Sequence, residues 1–264
     1  MKLSITLPSI REAACWRTLA NIAATTHGAY EVIVVSPFDV SGRGVVWVRE
    51  DQPTGGSRAQ AIAGRHASGD LLVAMSDDRL FVKGWDIDLR ATWIDRELAT
   101  KGRLCMGLRH VRSRLVGTCF GLYYPYFPVI RRESGLWYDP AYRHNFGDCD
   151  LGMRVWNAGA RCEFGPEVLE VHPEDAAQRR APDIDEEMRR FIQRWAPVYG
   201  RGWDCRTLRG FNIDVDPDRF WGQRTIRHNR PDFPSLTSVA GGFSLPGLAR
   251  RAIRYIGRPS FEKL

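Results

Sequence analysis

No apolar run in this 264-residue chain approaches the length of about 18 residues that a membrane-spanning helix requires, so no span is read. The opening Met1-Lys2-Leu3-Ser4-Ile5-Thr6-Leu7-Pro8 is interrupted too soon for a signal peptide, and the expected location is the cytoplasm. The six cysteines (Cys15, Cys105, Cys119, Cys149, Cys162, Cys205) are scattered and contain no C-x-x-C pair, which argues against a zinc site and a disulfide framework. No G-x-G-x-x-G follows the first strand, and no G-x-x-x-x-G-K-[ST] occurs anywhere. A nicotinamide-binding Rossmann domain and a P-loop NTPase are therefore both disfavoured. The chain also lacks internal repeats and any recognisable nucleic-acid-binding motif, so its net charge of +7 does not by itself point to nucleic acid.

What is present is a globular composition, 44% hydrophobic and 11% aromatic, enough for a sizeable core. The charge is uneven. Residues 1–100 hold 11 Lys/Arg against 12 Asp/Glu, whereas the last 19 residues hold five basic residues and one acid. Such a basic balance suits phosphorylated small molecules or anionic lipid.

Leu3–Leu7 reads as a strand ended by Pro8, and Ser9-Ile10-Arg11-Glu12 has the form of a capping box opening a helix that stops near Gly28. Tyr30–Val35 and Val45–Val48 are further strands, β-branched as buried parallel strands require. A helix after Gly55-Gly56 carries Ala59, Ile62, Ala63, His66 and Ala67 on one face. Leu71–Met75 is the next strand, and it runs directly into Ser76-Asp77-Asp78. This alternation predicts an α/β sheet, whose ligand site lies outside the carboxyl ends of its strands. Two adjacent carboxylates there suit a hard divalent cation, while an Asp-rich turn is the plainer alternative.

Gly84-Trp85-Asp86 opens a helix with Trp85, Leu89, Trp93 and Leu98 predicted along its inner face. Residues 104–131 read as strands that complete a mixed sheet. Gly147-Asp148-Cys149-Asp150-Leu151 starts another helix, in which the acids serve either as cap and first-turn residues or as catalytic carboxylates. Residues 163–172 form a strand closing on His172. Past Pro173 the composition shifts: a polar linker leads to an amphipathic helix, Asp183–Trp195, and then to a Gly-, Pro- and Trp-rich stretch. The predicted domains are 1–175 and a C-terminal extension, 176–264. Residues 245–258 form a basic amphipathic helix that suits either an anionic membrane surface, at the inner face of the membrane, or packing on the domain.

In this order, several pieces resemble the family 2 glycosyltransferases with the GT-A fold: Thr6-Leu7-Pro8-Ser9; Gly55-Gly56-Ser57-Arg58-Ala59-Gln60-Ala61-Ile62; Gly69 through Asp78 followed by Gly84-Trp85; Ile130-Arg131-Arg132-Glu133; and Phe146 through Arg154 with Ala158-Gly159. The resemblance covers residues 3 to about 172. It implies a GT-A (Rossmann-like) mixed sheet flanked by helices, with a C-terminal helical and irregular extension. It also implies inverting transfer of a sugar from a UDP- or GDP-sugar donor to a hydroxyl of a glycan or lipid-linked acceptor. Pro8, Ser9 and Ser36 are then expected to face the nucleoside, and Arg58 with Arg131 or Arg132 to contact phosphates. Asp77 and Asp78 are expected to hold Mn2+ or Mg2+, with His172 completing the coordination. Asp148 is the expected general base, and Asp150 orients substrate or supports Asp148. The chain departs from the family pattern at Ser76, where the first Asp of D-x-D belongs, at Gly147 in place of Glu, at Gln60 in place of Asn, and at Ser36-Pro37, where paired acids are usual. A GT-A protein that binds carbohydrate or nucleotide with impaired catalysis, and a sugar nucleotidyltransferase, are the alternatives.

Overall fold

The computed structural model describes residues 1–111, 115–119, 122–171, 185–199 and 212–214. His172 and the basic stretch 245–258 lie outside the described residues. The chain divides into two compact units: Met1–Ser113 with Pro125–Ala176, and Arg114–Tyr124 with Ala177–Leu264.

The first unit is built on β1 (Leu3–Pro8), β2 (Tyr30–Ser36), β3 (Val45–Arg49), β4 (Leu71–Ala74), β5 (Arg79–Phe81), β6 (Leu104–His110), β9 (Pro128–Arg131) and β10 (Arg161–Val171). These eight strands form one sheet in the order β3-β2-β1-β4-β9-β6-β10-β5. The first four are parallel, β9 runs antiparallel between β4 and β6, and β10 lies parallel to β6. β5 closes the edge, antiparallel to β10. The helices are α1 (Glu12–Thr25), α2 (Gly56–Arg65), α3 (Trp85–Thr100) and α4 (Gly147–Asn157). The second unit contains β7 (Leu115–Cys119), β8 (Leu122–Tyr123) and β11 (Asn212–Asp214), paired antiparallel in the order β11-β7-β8, and α5 (Asp185–Tyr199) with Met188, Phe191 and Trp195 buried.

The core of the first unit follows from strand composition. Leu3, Ile5 and Leu7 of β1 join Val32 and Val34, Leu71 and Val73, and the α3 tryptophans Trp85 and Trp93 in one buried cluster. Each such side chain contributes about 1.5–3 kcal/mol when fully buried. The opposite face of the sheet buries Ile33 and Val35 under Ala59 and Ala63 of α2. Trp85 also stacks on Phe81, their rings nearly parallel at 3.6 Å.

Two local expectations fail. Ser9 does not cap α1: the helix starts at Glu12 with Arg11 as its N-cap, and the Ser9 hydroxyl bonds instead to Asp77. Leu98, expected on the inner face of α3, is 84% exposed, while its neighbour Glu97 is the residue that reaches the sheet, pairing with Arg131 of β9.

Buried acids in this unit are answered individually. Glu31 accepts bonds from Lys2 Nζ (2.6 Å), Ser4 Oγ (2.6 Å), and the Ser68 amide and hydroxyl (2.6 and 2.8 Å). Burial alone raises its pKa, but these donors outweigh burial and hold it near 2, below the ordinary value of 4.5. A carboxylate depressed in the folded state stabilises the fold above its unfolded pKa and loses that contribution as pH falls through the folded one. Glu31→Gln should therefore cost about 1–2 kcal/mol at neutral pH, with the gap to wild type closing between pH 4.5 and 2. Urea titrations at stepped pH measure this; a gap independent of pH would contradict it.

Candidate active site

The carboxyl ends of β1, β2 and β4, with the first turns of α2 and α4, meet along one edge of the sheet. Gln60, in α2, ties this edge together: its carboxamide bonds the Thr6 hydroxyl and donates to the carbonyls of Thr6 (3.4 Å) and Met75 (2.8 Å). The first turn of α2 is anchored by the Arg143 carbonyl, which accepts from the amides of Ser57 (2.9 Å) and Arg58 (3.3 Å). The first turn of α4 lies directly on α2. A Cβ built on Gly147 would sit 2.6 Å from Cβ and Oγ of Ser57 and 3.0 Å from Cδ1 of Tyr138. No side chain fits there, which gives the physical reason for Gly147 where the resembling family has Glu. Phe146, just before it, adopts a left-handed φ of 58°, the turn that aims α4.

Asp148 is half-buried in that first turn and accepts a hydrogen bond from the Cys149 amide at 2.8 Å. Burial dominates over this amide and raises its pKa from 3.8 to about 6. The charge of Asp148 in turn adds to the burial that pushes the neighbouring Tyr138 phenol well above its usual value. Asp150 differs. It is fully buried and paired with Arg154 four residues on, Nε to Oδ2 at 2.8 Å, while Arg154 also reaches the Trp137 carbonyl. In this geometry Asp150 fixes the helix and the 137–140 loop from within.

The Asp77-Asp78 turn is arranged around guanidinium groups. Asp77 is 6% exposed; Ser9 Oγ donates to its Oδ2 at 2.7 Å, and Arg11 grips both oxygens, Nη2 to Oδ1 at 2.6 Å and Nε to Oδ2 at 3.2 Å. Thr18 Oγ1 donates to its main-chain carbonyl. Asp78 is 3% exposed; Ser76 Oγ donates to Oδ1 at 2.5 Å and Arg79 Nη1 pairs with Oδ2 at 2.7 Å. Arg79, also buried, lies over the Phe127 ring at 5.8 Å. Nearby His110 is held neutral, its pKa pushed down to about 4 by burial and then by the Arg79 charge, with Asp78 acting in the opposite sense.

A hard divalent cation needs several oxygens converging at once. Here every oxygen of both carboxylates already carries a partner, and among the described residues no three His, Cys, Asp or Glu side chains converge. In the geometry described, these residues do not present the donor set of a magnesium or manganese site.

The remaining expected contacts divide. Pro8 and Ser9 stand at the end of β1 on this edge. Ser36 ends β2 with its hydroxyl turned inward, donating to the Phe38 carbonyl and accepting from Trp47 Nε1. Arg58 reaches the Pro140 carbonyl at 2.8 Å. Arg131 does not join them: β9 runs antiparallel, so Arg131 sits beside Leu71 at the amino end of β4, in a two-pronged pair with Glu97. Arg132 lies there too, bonded to the Gly69 carbonyl. The sequence reading missed Arg11, Arg79 and His110. The only local signal was Arg79 following the acid pair.

No protein-family model matches the chain, and no curated protein sequence matches it. Solved structures do. Residues 1–349 of TarS from S. aureus superpose with a TM-score of 0.52 at 13% identity, over 80% of this chain and 70% of that one; the same protein has been solved with UDP-GlcNAc. The mannosyltransferase PcManGT from Pyrobaculum calidifontis, in complex with GDP-Man and Mn2+, superposes with a TM-score of 0.53 at 16% identity, over 96% of this chain and 79% of that one. With the sheet order and flanking helices described above, this similarity shows that the chain has the α/β, GT-A (Rossmann-like) fold.

Proposed function

We propose that the protein is a glycosyltransferase that moves a sugar from a nucleotide-sugar donor to a hydroxyl of a glycan or lipid-linked acceptor. The observation that carries this reading is Asp148: a half-buried carboxyl with its pKa raised to about 6, on the ligand-binding edge of a GT-A fold whose neighbours are solved with UDP-GlcNAc and GDP-Man. A general base works best when its pKa lies near the working pH, and burial brings Asp148 there. In the proposed reaction Asp148 takes the proton of the acceptor hydroxyl. The hydroxyl oxygen forms the bond to the anomeric carbon while the bond to the diphosphate oxygen breaks, in one displacement that inverts the centre. Pro8, Ser9 and Ser36 border the donor nucleoside, and Arg58 supports the 140 loop beside the acceptor. Asp150, through Arg154, is a positioning residue for α4.

Mn2+ or Mg2+ on the diphosphate is the expectation from the resemblance, and Mn2+ is present in the mannosyltransferase neighbour. No step here runs through a metal, since Asp77 and Asp78 are engaged with arginines.

A thermal-shift screen of UDP- and GDP-sugars, followed by mass spectrometry of acceptor mixtures, tests the reading. Stabilisation by at least one nucleotide sugar and a hexose-sized mass gain on an acceptor are expected. Binding without transfer would leave a nucleotide-sugar-binding protein, and no binding would end the proposal.

A further inference from the structure

We infer that the open cavity between α2, the 135–140 loop and α4 is an acceptor subsite, in which Arg65 and Arg132 bind an anionic group, phosphate or carboxylate, carried by the acceptor glycan. This rests on the proposed function.

Three observations carry it. First, the cavity has the size of a small-ligand site and firm walls. Its volume is about 320 Å3. Trp137, in its lining, is seated on Gly64, where a Cβ would lie 2.2 Å from the indole ring. The Trp137 Nε1 donates to the Gln60 carbonyl at 2.8 Å, and Arg154 braces the same loop through the Trp137 carbonyl. Second, the cavity adjoins the proposed base. Tyr138 lines it, and a Cβ built on Gly147, in the first turn of α4, would sit 3.0 Å from the Tyr138 ring. The charge of Asp148, the next residue, reaches the Tyr138 phenol. Third, the cavity offers positive charge with donors to spare. Among the described residues Arg65 makes no hydrogen bond or ion pair, and Arg132 uses only Nε, on the Gly69 carbonyl at 2.8 Å. Arg154 is spent on Asp150 and the Trp137 carbonyl. Asp139, the one carboxylate in the lining, accepts from the Ala141 amide at 2.9 Å.

A guanidinium presents its N–H donors in a planar fork that matches the paired oxygens of a phosphate or carboxylate, and such charge-assisted bonds are the strong ones. Arg65 lies in the last turn of α2, whereas Gly147 packs against Ser57 in the first. At the helical rise of about 1.5 Å per residue these levels are about 12 Å apart. An acceptor of disaccharide length or more suits this span, with its anionic group at the arginines and its hydroxyl towards Asp148.

Nuclear magnetic resonance of the arginine Nε–H groups in the full chain tests the inference. Arg65→Lys and Arg132→Lys assign the two signals. Trehalose 6-phosphate, cellobiouronic acid and neutral trehalose are titrated at matched ionic strength. At least one anionic disaccharide should move both signals to saturation, the phosphate or the uronate arm naming the group, and trehalose should move neither. Arg65→Ala removes a side chain that makes no bond in the fold, and it should weaken the saturating probe about tenfold, the loss of a charged hydrogen bond. A saturable shift of fewer than both signals, an equal shift with trehalose, or undiminished binding in Arg65→Ala would overturn the inference and leave the proposed function standing. Absence of nucleotide-sugar binding in the thermal-shift screen would end the proposed function, and the acceptor assignment with it.

Discussion

Asp148→Asn should lower the turnover of sugar transfer by about 10²–10⁴-fold, the range that a positioned general base contributes. Asparagine preserves the shape and the hydrogen bond from the Cys149 amide. It cannot take a proton, so donor affinity should stay within about twofold while chemistry fails. The pH profile gives a second readout. Burial raises the Asp148 pKa to about 6, and a base acts only when deprotonated. In the wild type kcat/KM should therefore rise with pH through about 6 to a plateau, and the residual activity of the variant should lack that limb. Stability moves the other way. A carboxyl whose folded pKa is raised above its unfolded value of 3.8 keeps its proton longer in the folded state, so the fold loses stability as pH climbs from 3.8 to 6. The asparagine variant should accordingly be more resistant to urea at pH 8 than the wild type. Unchanged turnover with intact donor binding would remove Asp148 from the base role.

Gly55→Ala should destabilise the first unit by about 3 kcal/mol or more. Gly55 adopts φ 110° with ψ 152°, a region that essentially only glycine occupies, and holding another residue there costs about 1–3 kcal/mol. That Cβ would also lie 2.3 Å from the Arg143 carbonyl oxygen. The same oxygen anchors the Ser57 and Arg58 amides, so it cannot move away without uncapping α2. Displacing packed backbone adds about 1–3 kcal/mol. Urea denaturation followed by circular dichroism should show a lower midpoint with an unchanged slope. Because α2 carries Ser57 against Gly147, the variant should also lose activity beyond its loss of stability. A midpoint equal to wild type would show that the Gly55 turn is not held as described.

The two predictions involve residues that differ in how plainly the sequence displayed them. Asp148 was legible, since a Gly-Asp-x-Asp run opening an amphipathic helix is a local pattern. Its companion Asp150 looked equivalent, yet the two carboxylates part company on the helix. One is half-buried, whereas the other is fully buried and paired with Arg154, and only the packing of α4 decides which. The alternating strands and helices from Leu3 to Ala74 were legible for the same local reason, because buried parallel strands are nearly continuous runs of Val, Ile and Leu.

What escaped the sequence is non-local. β5 is three residues long and exists because Arg79–Phe81 pairs with Leu169–Val171, about 90 residues away. Ser9-Ile10-Arg11-Glu12 matches a capping box perfectly, but a carboxylate 68 residues distant is the stronger partner for the Ser9 hydroxyl. Arg131 seemed a phosphate ligand until the antiparallel course of β9 carried it to the far end of β4. Arg11 and Arg79 drew no notice because each reads as an ordinary exposed arginine until the fold brings it to an acid.

The strand order also sets a timetable for synthesis. β1 to β4 are neighbours in space and are complete once residue 74 has been made, so half of the sheet can assemble while the rest of the chain is still on the ribosome. The acid turn follows at once and is tied to α1, where Asn21 bonds the Phe81 main chain, but β5 has no strand partner until β10 arrives, up to residue 171. β5 is thus among the last strands to gain a backbone partner. A nascent chain stalled before residue 161 should carry a finished β1–β4 scaffold with β5 held by α1 alone, which limited proteolysis of ribosome-bound intermediates would reveal as faster cutting at residues 79–81 than in the finished protein.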